Sequence, residues 1–557
     1  MVNTQLFQTT RGQMIPNTNV LNDAGAPAYA FSDKHALAQY AATGCLNATF
    51  YASADTQLEK VLELCAKNDP SFVAKVAVYC RERGFMKDMP ALLAATLASR
   101  GADEVTPVFK RVINNGKMLR NFVQIMRSGA TGRKSLGTRT KRLVQNWLTS
   151  ASEKELLSAY VGTNPSLADV IKMVHPKPIL KPVEYPPETV SVVNGSLHIE
   201  VSEAEFKAKY SSITGVQREA FFAWVIGKPY ESANLPPITA AFEAYKKDRK
   251  NPIPEVPFQM LTALELSDTD WAAIAHNAGW HMIRMNLNTF ARHGVFKLEG
   301  MTDVIAARLV DPEAIAKARV FPYQLLMAYL ATSQSTDIPY KIKEALQDAL
   351  ELSLVNVPEV PGSIAVFPDV SGSMSNAVTG NRGTATTAAR CIDVAGLVAA
   401  AFMRKNPGRV GVVPFEGDIN TSVKLNPRDT VMTNASKLAS IRGGSTNCAA
   451  PLAFMIANNF TTDLVIYVSD NESWFNSINS RRGTGVMQLW NKFKVNNPKA
   501  KLVCIDITPN GTTQASERND ILNIGGFSDD VFKIIAAFAA DKLTSEHWVG
   551  EIEAIEI

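Results

Sequence analysis

Nowhere in the 557 residues is there a run of about 18 apolar side chains, the length a membrane-crossing helix needs. The stretch from Met1 to Pro27 also lacks the basic-then-apolar pattern of a secretory leader. Cysteine is scarce. Cys45, Cys65, Cys80, Cys391, Cys448 and Cys504 lie far apart and form no CxxC pair. That spacing argues against zinc, and structural disulfides are not expected in a reducing compartment. The expectation is a cytoplasmic protein without a membrane-spanning helix, whose cysteines pack as small apolar residues.

Acidic residues are missing from two long stretches. Residues 105–150 hold Lys110, Arg111, Lys117, Arg120, Arg127, Arg133, Lys134, Arg139, Lys141 and Arg142 with no Asp or Glu. Residues 271–298 hold Arg284, Arg292, Lys297, His276, His281 and His293, again without an acid. The net charge is only +4, so the asymmetry is local. One-sign stretches of this length make positive fields that attract polyanions, unless acids from elsewhere in the fold neutralise them. The remaining composition, 46% hydrophobic and 20% charged, is that of an ordinary globular protein. The length calls for two or more domains at roughly 100–200 residues each.

Residues 1–30 read as an irregular arm rich in Asn, Thr, Gly and Pro. From there to residue 355 the apolar spacing is mostly helical. Asp55 reads as an N-cap. Further helices are expected over 105–114, 118–127, 138–150, 152–160, 166–173, 202–210, 214–226, 257–264, 279–292 and 339–353, among others. Many short helices with short connections suggest an α-solenoid, although no clean sequence period is visible. A proline-rich break opens at His175-Pro176-Lys177-Pro178, and alternating residues near 190–199 predict a small hairpin. The pattern changes at Val355-Asn356-Val357-Pro358-Glu359-Val360-Pro361-Gly362, which reads as a linker. Over 363–557 strands (364–367, 409–415, 464–468, 501–507) alternate with helices (386–405, 435–441, 449–458, 485–496, 530–540). That alternation predicts a doubly wound, Rossmann-like α/β domain whose ligands sit at the C-terminal ends of strands.

The first of these strands runs into Asp369-Val370-Ser371-Gly372-Ser373-Met374-Ser375. A carboxylate and two hydroxyls at alternate positions, with Gly372 allowing a tight turn, can converge on one hard cation. Two further strand-end loops offer oxygen ligands: Gly443-Gly444-Ser445-Thr446-Asn447 and Val468-Ser469-Asp470-Asn471-Glu472. Together they resemble the metal-ion-dependent adhesion site of von Willebrand A domains. The resemblance implies that Ser371 and Ser373 bind the cation directly, Thr446 directly or through water, and that Asp369 and Asp470 anchor the shell behind them. Oxygen-only ligation favours Mg²⁺, with Mn²⁺ and Ca²⁺ as alternatives. A haloacid-dehalogenase-like phosphatase would need a second Asp where Ser371 stands.

The helical region resembles the TROVE module of the Ro autoantigen family, in members of bacterial or phage type. The resemblance rests on several stretches. They are Gly44 through Phe50-Tyr51-Ala52-Ser53; Tyr79-Cys80-Arg81-Glu82-Arg83-Gly84 with Lys87-Asp88-Met89-Pro90-Ala91-Leu92-Leu93; Asp169 through His175-Pro176-Lys177-Pro178; Met282-Ile283-Arg284-Met285-Asn286-Leu287; and Ala318-Arg319-Val320-Phe321-Pro322-Tyr323. Ile521-Leu522-Asn523-Ile524-Gly525-Gly526-Phe527 extends it to the C-terminal domain. Phe321 departs from the His common in the family.

The resemblance implies HEAT-like repeats bent into a ring that the A domain closes. Y RNA-like small noncoding RNA would bind the outer surface, and single-stranded ends of misfolded RNA would enter the central hole. An exoribonuclease would be recruited through RNA, the protein would be a monomer, and no catalysis is implied. The expected phosphate contacts are Arg127, Arg133, Lys134, Arg139, Lys141 and Arg142, with His175 and Lys177 at the helix end and Arg284 and Arg292 as weaker candidates. His175 could equally be a helix C-cap. The competing reading is a metal-dependent protein scaffold that captures an acidic protein ligand at the adhesion site.

Overall fold

The computed structural model describes residues 15–49, 51–177, 190–193, 196–199, 213–318, 320, 322–333, 335–380, 389–473, 483–543 and 546–557. The helix expected over 202–210, the start of the one expected over 386–405, and Phe50, Arg319 and Phe321 lie outside the described residues. Two compact units are present. One comprises Met1–Pro90 with Ala275–Ile557, the other Ala91–Ile274. The strands are β1 (Val20–Leu21), β2 (Pro27–Ala30), β3 (Val190–Val193), β4 (Ser196–Ile199), β5 (Ile364–Pro368), β6 (Val410–Val412), β7 (Leu464–Ser469), β8 (Lys501–Asp506), β9 (Thr512–Thr513) and β10 (Ile521–Gly525).

The Ala91–Ile274 unit is built from helices. Gly116–Ser128 shows why they form: Met118, Leu119, Phe122, Val123 and Met126 recur at helical spacing and are buried. Asn115 caps its start by accepting from the Met118 N–H, and Gly129 ends it at φ 87°. Gly137–Ser150, Glu153–Tyr160 and Leu167–Val174 follow the same logic. The expected hairpin is present, with β3 and β4 antiparallel. The helix expected over 257–264 is a single turn, Phe258–Leu261, because the Leu264 N–H bonds back to the Leu261 carbonyl.

In the other unit, five parallel strands lie in the order β10-β8-β7-β5-β6. β7 is buried at all six positions, as a central parallel strand should be. Val465, Tyr467, Leu502 and Cys504 pack with Leu452, Met455, Trp490 and Phe493 from the helices Ala450–Ala457 and Gly485–Asn496. β6 is shorter than the expected 409–415, although the Val413 and Phe415 N–H groups still bond the Val366 and Pro368 carbonyls beyond it. All six cysteines are free and buried. Trp271 and Trp280 are buried, while Trp147 is half-buried. Among the described residues no helix is long and apolar enough to cross a membrane.

Two differences from the sequence reading share one cause, packing of N-terminal residues against the α/β domain, and a third is local. The arm expected to be irregular contains β1 and β2, which pair antiparallel, and β2 also pairs with β9 through Tyr29↔Thr513 and Ala30↔Thr512. The Ile521–Gly525 segment is a strand, and the helix Asp33–Thr43 packs on it. A Cβ at Gly526, whose φ is 93°, would lie 2.7 Å from the Ala42 carbonyl oxygen, so glycine permits this approach. Ser53, not Asp55, caps the helix Ala54–Lys67, by accepting from the Thr56 N–H.

Candidate metal centre and nucleic-acid interface

The chain reverses its direction of growth between β5 and β7, which makes the gap at their C-terminal ends a topological switch point. Asp369 follows β5 and Asp470 follows β7. Asp369 is fully buried. Its Oδ1 accepts from the Ser371 N–H at 2.8 Å and its Oδ2 from the Ser469 hydroxyl at 2.6 Å. The Ser371 and Ser373 hydroxyls are 3.3 Å apart, and Ser373 also bonds the Asp470 carboxylate. Thr446 is buried in a loop docked on the first one, where the Gly372 N–H meets the Gly444 carbonyl at 2.8 Å.

Gly443 makes that docking possible. A Cβ there would strike the Val370 carbonyl oxygen and lie 2.8 Å from its carbon and 3.0 Å from Ser371 Cα. Gly443→Ala is therefore expected to cost roughly 1–3 kcal/mol of stability, as overpacking does, and to weaken cation binding. Thermal unfolding and cation titration of the variant check both effects; an unchanged titration contradicts the docking argument.

Burial, and then the charge of Asp470, push the Asp369 carboxyl up to about 7. Burial likewise raises Asp470, and burial together with Asp470 raises Asp506, which accepts from Gln39 Nε2 at 2.7 Å. Glu472 is pushed up to about 9, chiefly by burial and then by Asp23. Among the described residues no Lys or Arg pairs with Asp369 or Asp470, and no group of three or more His, Cys, Asp or Glu is arranged to hold a metal. The donor set is thus hydroxyls backed by two buried carboxylates without a countercharge, which fits one hard divalent cation. Cys448 belongs to the apolar core, and Glu472 is buried.

The expected RNA contacts separate into groups. Arg127, Arg133, Lys134, Arg142, His175 and Lys177 are exposed, Lys141 is half-exposed, and none has an ion pair with another described residue. Several meet in one neighbourhood of the Ala91–Ile274 unit. Gln145, one turn beyond Lys141 and Arg142, donates to the Val174 carbonyl at 2.5 Å, beside His175. Asp169 is held below the usual carboxylate range, first by Ser166 and then by the charges of Lys172 and Arg127. The exposed Lys172, one turn before His175, belongs to this neighbourhood, and its spacing on the helix was the available signal. His175 is a left-handed C-cap at φ 50° with its N–H on the Ile171 carbonyl, and its side chain is exposed.

Arg139 is held differently. Its guanidinium donates to the Ala102 and Asp103 carbonyls at 3.0 and 2.8 Å and pairs with Asp103 at 3.4 Å. Arg284 and Arg292 lie in the other unit. Arg284 is largely buried and donates to the Gln324 carbonyl at 2.9 Å, so it joins two helices. Arg292 is exposed and bonds Thr289 within its own helix.

The chain is similar to known proteins. The TROVE domain family model matches residues 40–341, and that of the Ro60 vWA domain matches residues 363–539. The chain is 24% identical to RNA-binding protein RO60 of Deinococcus radiodurans, over 95% of this chain and 96% of that one. It is 23% identical to RNA-binding protein RO60 of Caenorhabditis elegans, over 44% of this chain and 38% of that one. The crystal structure of the Deinococcus radiodurans RO (RSR) protein superposes with a TM-score of 0.58 at 19% identity, covering 92% of this chain and all of the other.

Proposed function

The chain belongs to the TROVE-domain family of Ro proteins, and on that premise we propose that it binds structured RNA through the exposed cations of the Ala91–Ile274 unit. The observation that carries this reading is the set Arg127, Arg133, Lys134, Lys141, Arg142, Lys172 and Lys177, exposed or half-exposed and without ion pairs to other described residues. Long cationic side chains meet phosphates without reading sequence, and A-form RNA is recognised largely by backbone and shape. The relatives' names, which are those of RNA-binding proteins, support the same reading. The RNA would be a Y RNA-like small noncoding RNA together with misfolded RNA, and an exoribonuclease would be a partner through the RNA. The role is binding for RNA quality control rather than catalysis.

Protein purified from its native host should carry a discrete set of structured RNAs, seen as a raised 260/280 nm absorbance ratio and identified by sequencing. Nucleic-acid-free protein, with no RNA recovered by crosslinking in cells, would overturn the proposal. Arg139→Ala is expected to lower thermal stability while changing RNA affinity by no more than about twofold, since its guanidinium already serves the 102–106 loop. Melting and equilibrium RNA binding of the same sample separate the two effects.

A second reading concerns the α/β domain and is compatible with the first. Ser371, Ser373 and Thr446 would hold a divalent cation, most favourably Mg²⁺, with Asp369 and Asp470 orienting and charging the site. When bound, the cation supplies a Lewis-acidic point for an anionic oxygen, such as a carboxylate of an acidic protein ligand. The buried, countercharge-free pair Asp369 and Asp470 favours this reading.

A further inference from the structure

We propose that the N-terminal hairpin is a working part of the cation site, a clasp that sets the position of the loop carrying Asp470. The inference rests on the cation reading above. Asn22, buried in the turn after β1, donates through Nδ2 to the Ser473 carbonyl at 3.1 Å, and its Oδ1 accepts from the Ala26 N–H at 2.7 Å. The Ala24 N–H donates to Glu472 Oε2 at 3.0 Å. These bonds grip two consecutive residues of the loop from a segment some 450 positions away in sequence.

The gripped residues reach the donors on both sides. The Glu472 N–H lies 3.4 Å from Asp470 Oδ1, so fixing Glu472 fixes the direction of that carboxylate. The Ser473 hydroxyl accepts from the Cys448 N–H at 3.3 Å, two residues beyond Thr446. A second hold comes through β2. It pairs with β9, and the Thr512 carbonyl of β9 accepts from Asn471 Nδ2 at 3.2 Å. Asn471 sits at φ 62°, in the left-handed region that asparagine adopts more readily than other side-chain-bearing residues. The loop between Asp470 and Ser473 is therefore held at three successive residues, Glu472 and Ser473 by the arm itself and Asn471 by β9, the strand with which the arm pairs. None of the arm's residues is itself a candidate ligand.

Two consequences follow. Loosening the arm lowers cation affinity although every donor is intact, and the cation in turn protects the arm, since coupling between two sites is reciprocal. The test uses the full-length protein, Mg²⁺ titrated by calorimetry, and hydrogen exchange at the Ala24 and Ala26 amides with and without Mg²⁺. Asn22→Ala is expected to weaken Mg²⁺ binding roughly fivefold, the effect of one net hydrogen bond, and to abolish the Mg²⁺-dependent protection of Ala24. Glu472→Gln keeps a side-chain oxygen acceptor for Ala24, so it should retain that protection, whereas Glu472→Ala should lose it. Unchanged exchange in the β7 and β8 amides certifies that each variant is folded. If Asn22→Ala binds Mg²⁺ as the parent does, or Mg²⁺ never protects Ala24 and Ala26, the clasp is refuted while the cation site stands. If the parent protein itself takes up no Mg²⁺, both the site and the clasp fall.

Discussion

Glutamate at Arg133, Lys134, Lys141 and Arg142 together is expected to weaken binding of structured RNA by about 10³-fold at fixed salt. Four phosphate contacts at about 1 kcal/mol each amount to about 4 kcal/mol, and reversed charges add repulsion. The four positions are exposed or half-exposed and bound to no described acid, so the substitutions break no described ion pair. The fold should survive, because the buried face of the Gly137–Ser150 helix is Thr140, Leu143, Val144 and Leu148, none of which changes. The slope of log K against log salt should also become shallower by about 3, as expected for four lost backbone contacts. Equilibrium binding of one structured RNA to parent and variant across a salt series measures both quantities. Equal affinities would show that this surface does not meet RNA.

The second large effect belongs to the α/β domain. Asp369→Ala should lower Mg²⁺ affinity at least roughly 10–100-fold, the range typical of groups that orient metal ligands. The carboxylate receives both the Ser371 N–H and the Ser469 hydroxyl, so its removal frees the turn that presents Ser371 and Ser373. It also removes one of the two buried carboxylates that favour a cation at this point. RNA binding by the same variant should stay within about twofold, because the cations proposed for RNA lie in the Ala91–Ile274 unit. Calorimetric titration and RNA binding on one preparation check both halves. A variant that takes up Mg²⁺ as the parent does would remove Asp369 from the site. A variant that loses RNA together with Mg²⁺ would couple two functions that the account keeps apart.

The candidate cation site was legible in sequence because each of its parts is local. Asp369, Ser371 and Ser373 sit within five residues, and each of the three loops follows an apolar run or opens a helix. What supports them was not legible. The Asn22–Ser473 and Gln39–Asp506 bonds join residues more than 440 positions apart, and no periodicity reports on such pairs. β2 was lost among proline and glycine signals although Ala28 and Tyr29 are buried, because a four-residue strand completed by distant Thr512 and Thr513 has almost no pattern of its own.

The charge reading shows a second limit. Two stretches of cations without an acid between them marked the candidate RNA contacts, but sequence gives each cation equal weight. The fold divides them. Arg139 closes a loop and Arg284 ties two helices, while Arg127 and Arg142 reach solvent. Guanidinium groups serve both roles with the same chemistry, and only the neighbouring carbonyls tell them apart. The C-cap role considered for His175 is met by its backbone, and its exposed ring is left free for a phosphate or base.

The salt dependence of RNA binding by the unmodified protein tests the central claim most directly. The account predicts a linear fall of log K with log salt and a slope of about −4 or steeper, set by the exposed cations of the Ala91–Ile274 unit. Binding that does not change with salt, or no binding of structured RNA at low salt, would contradict it.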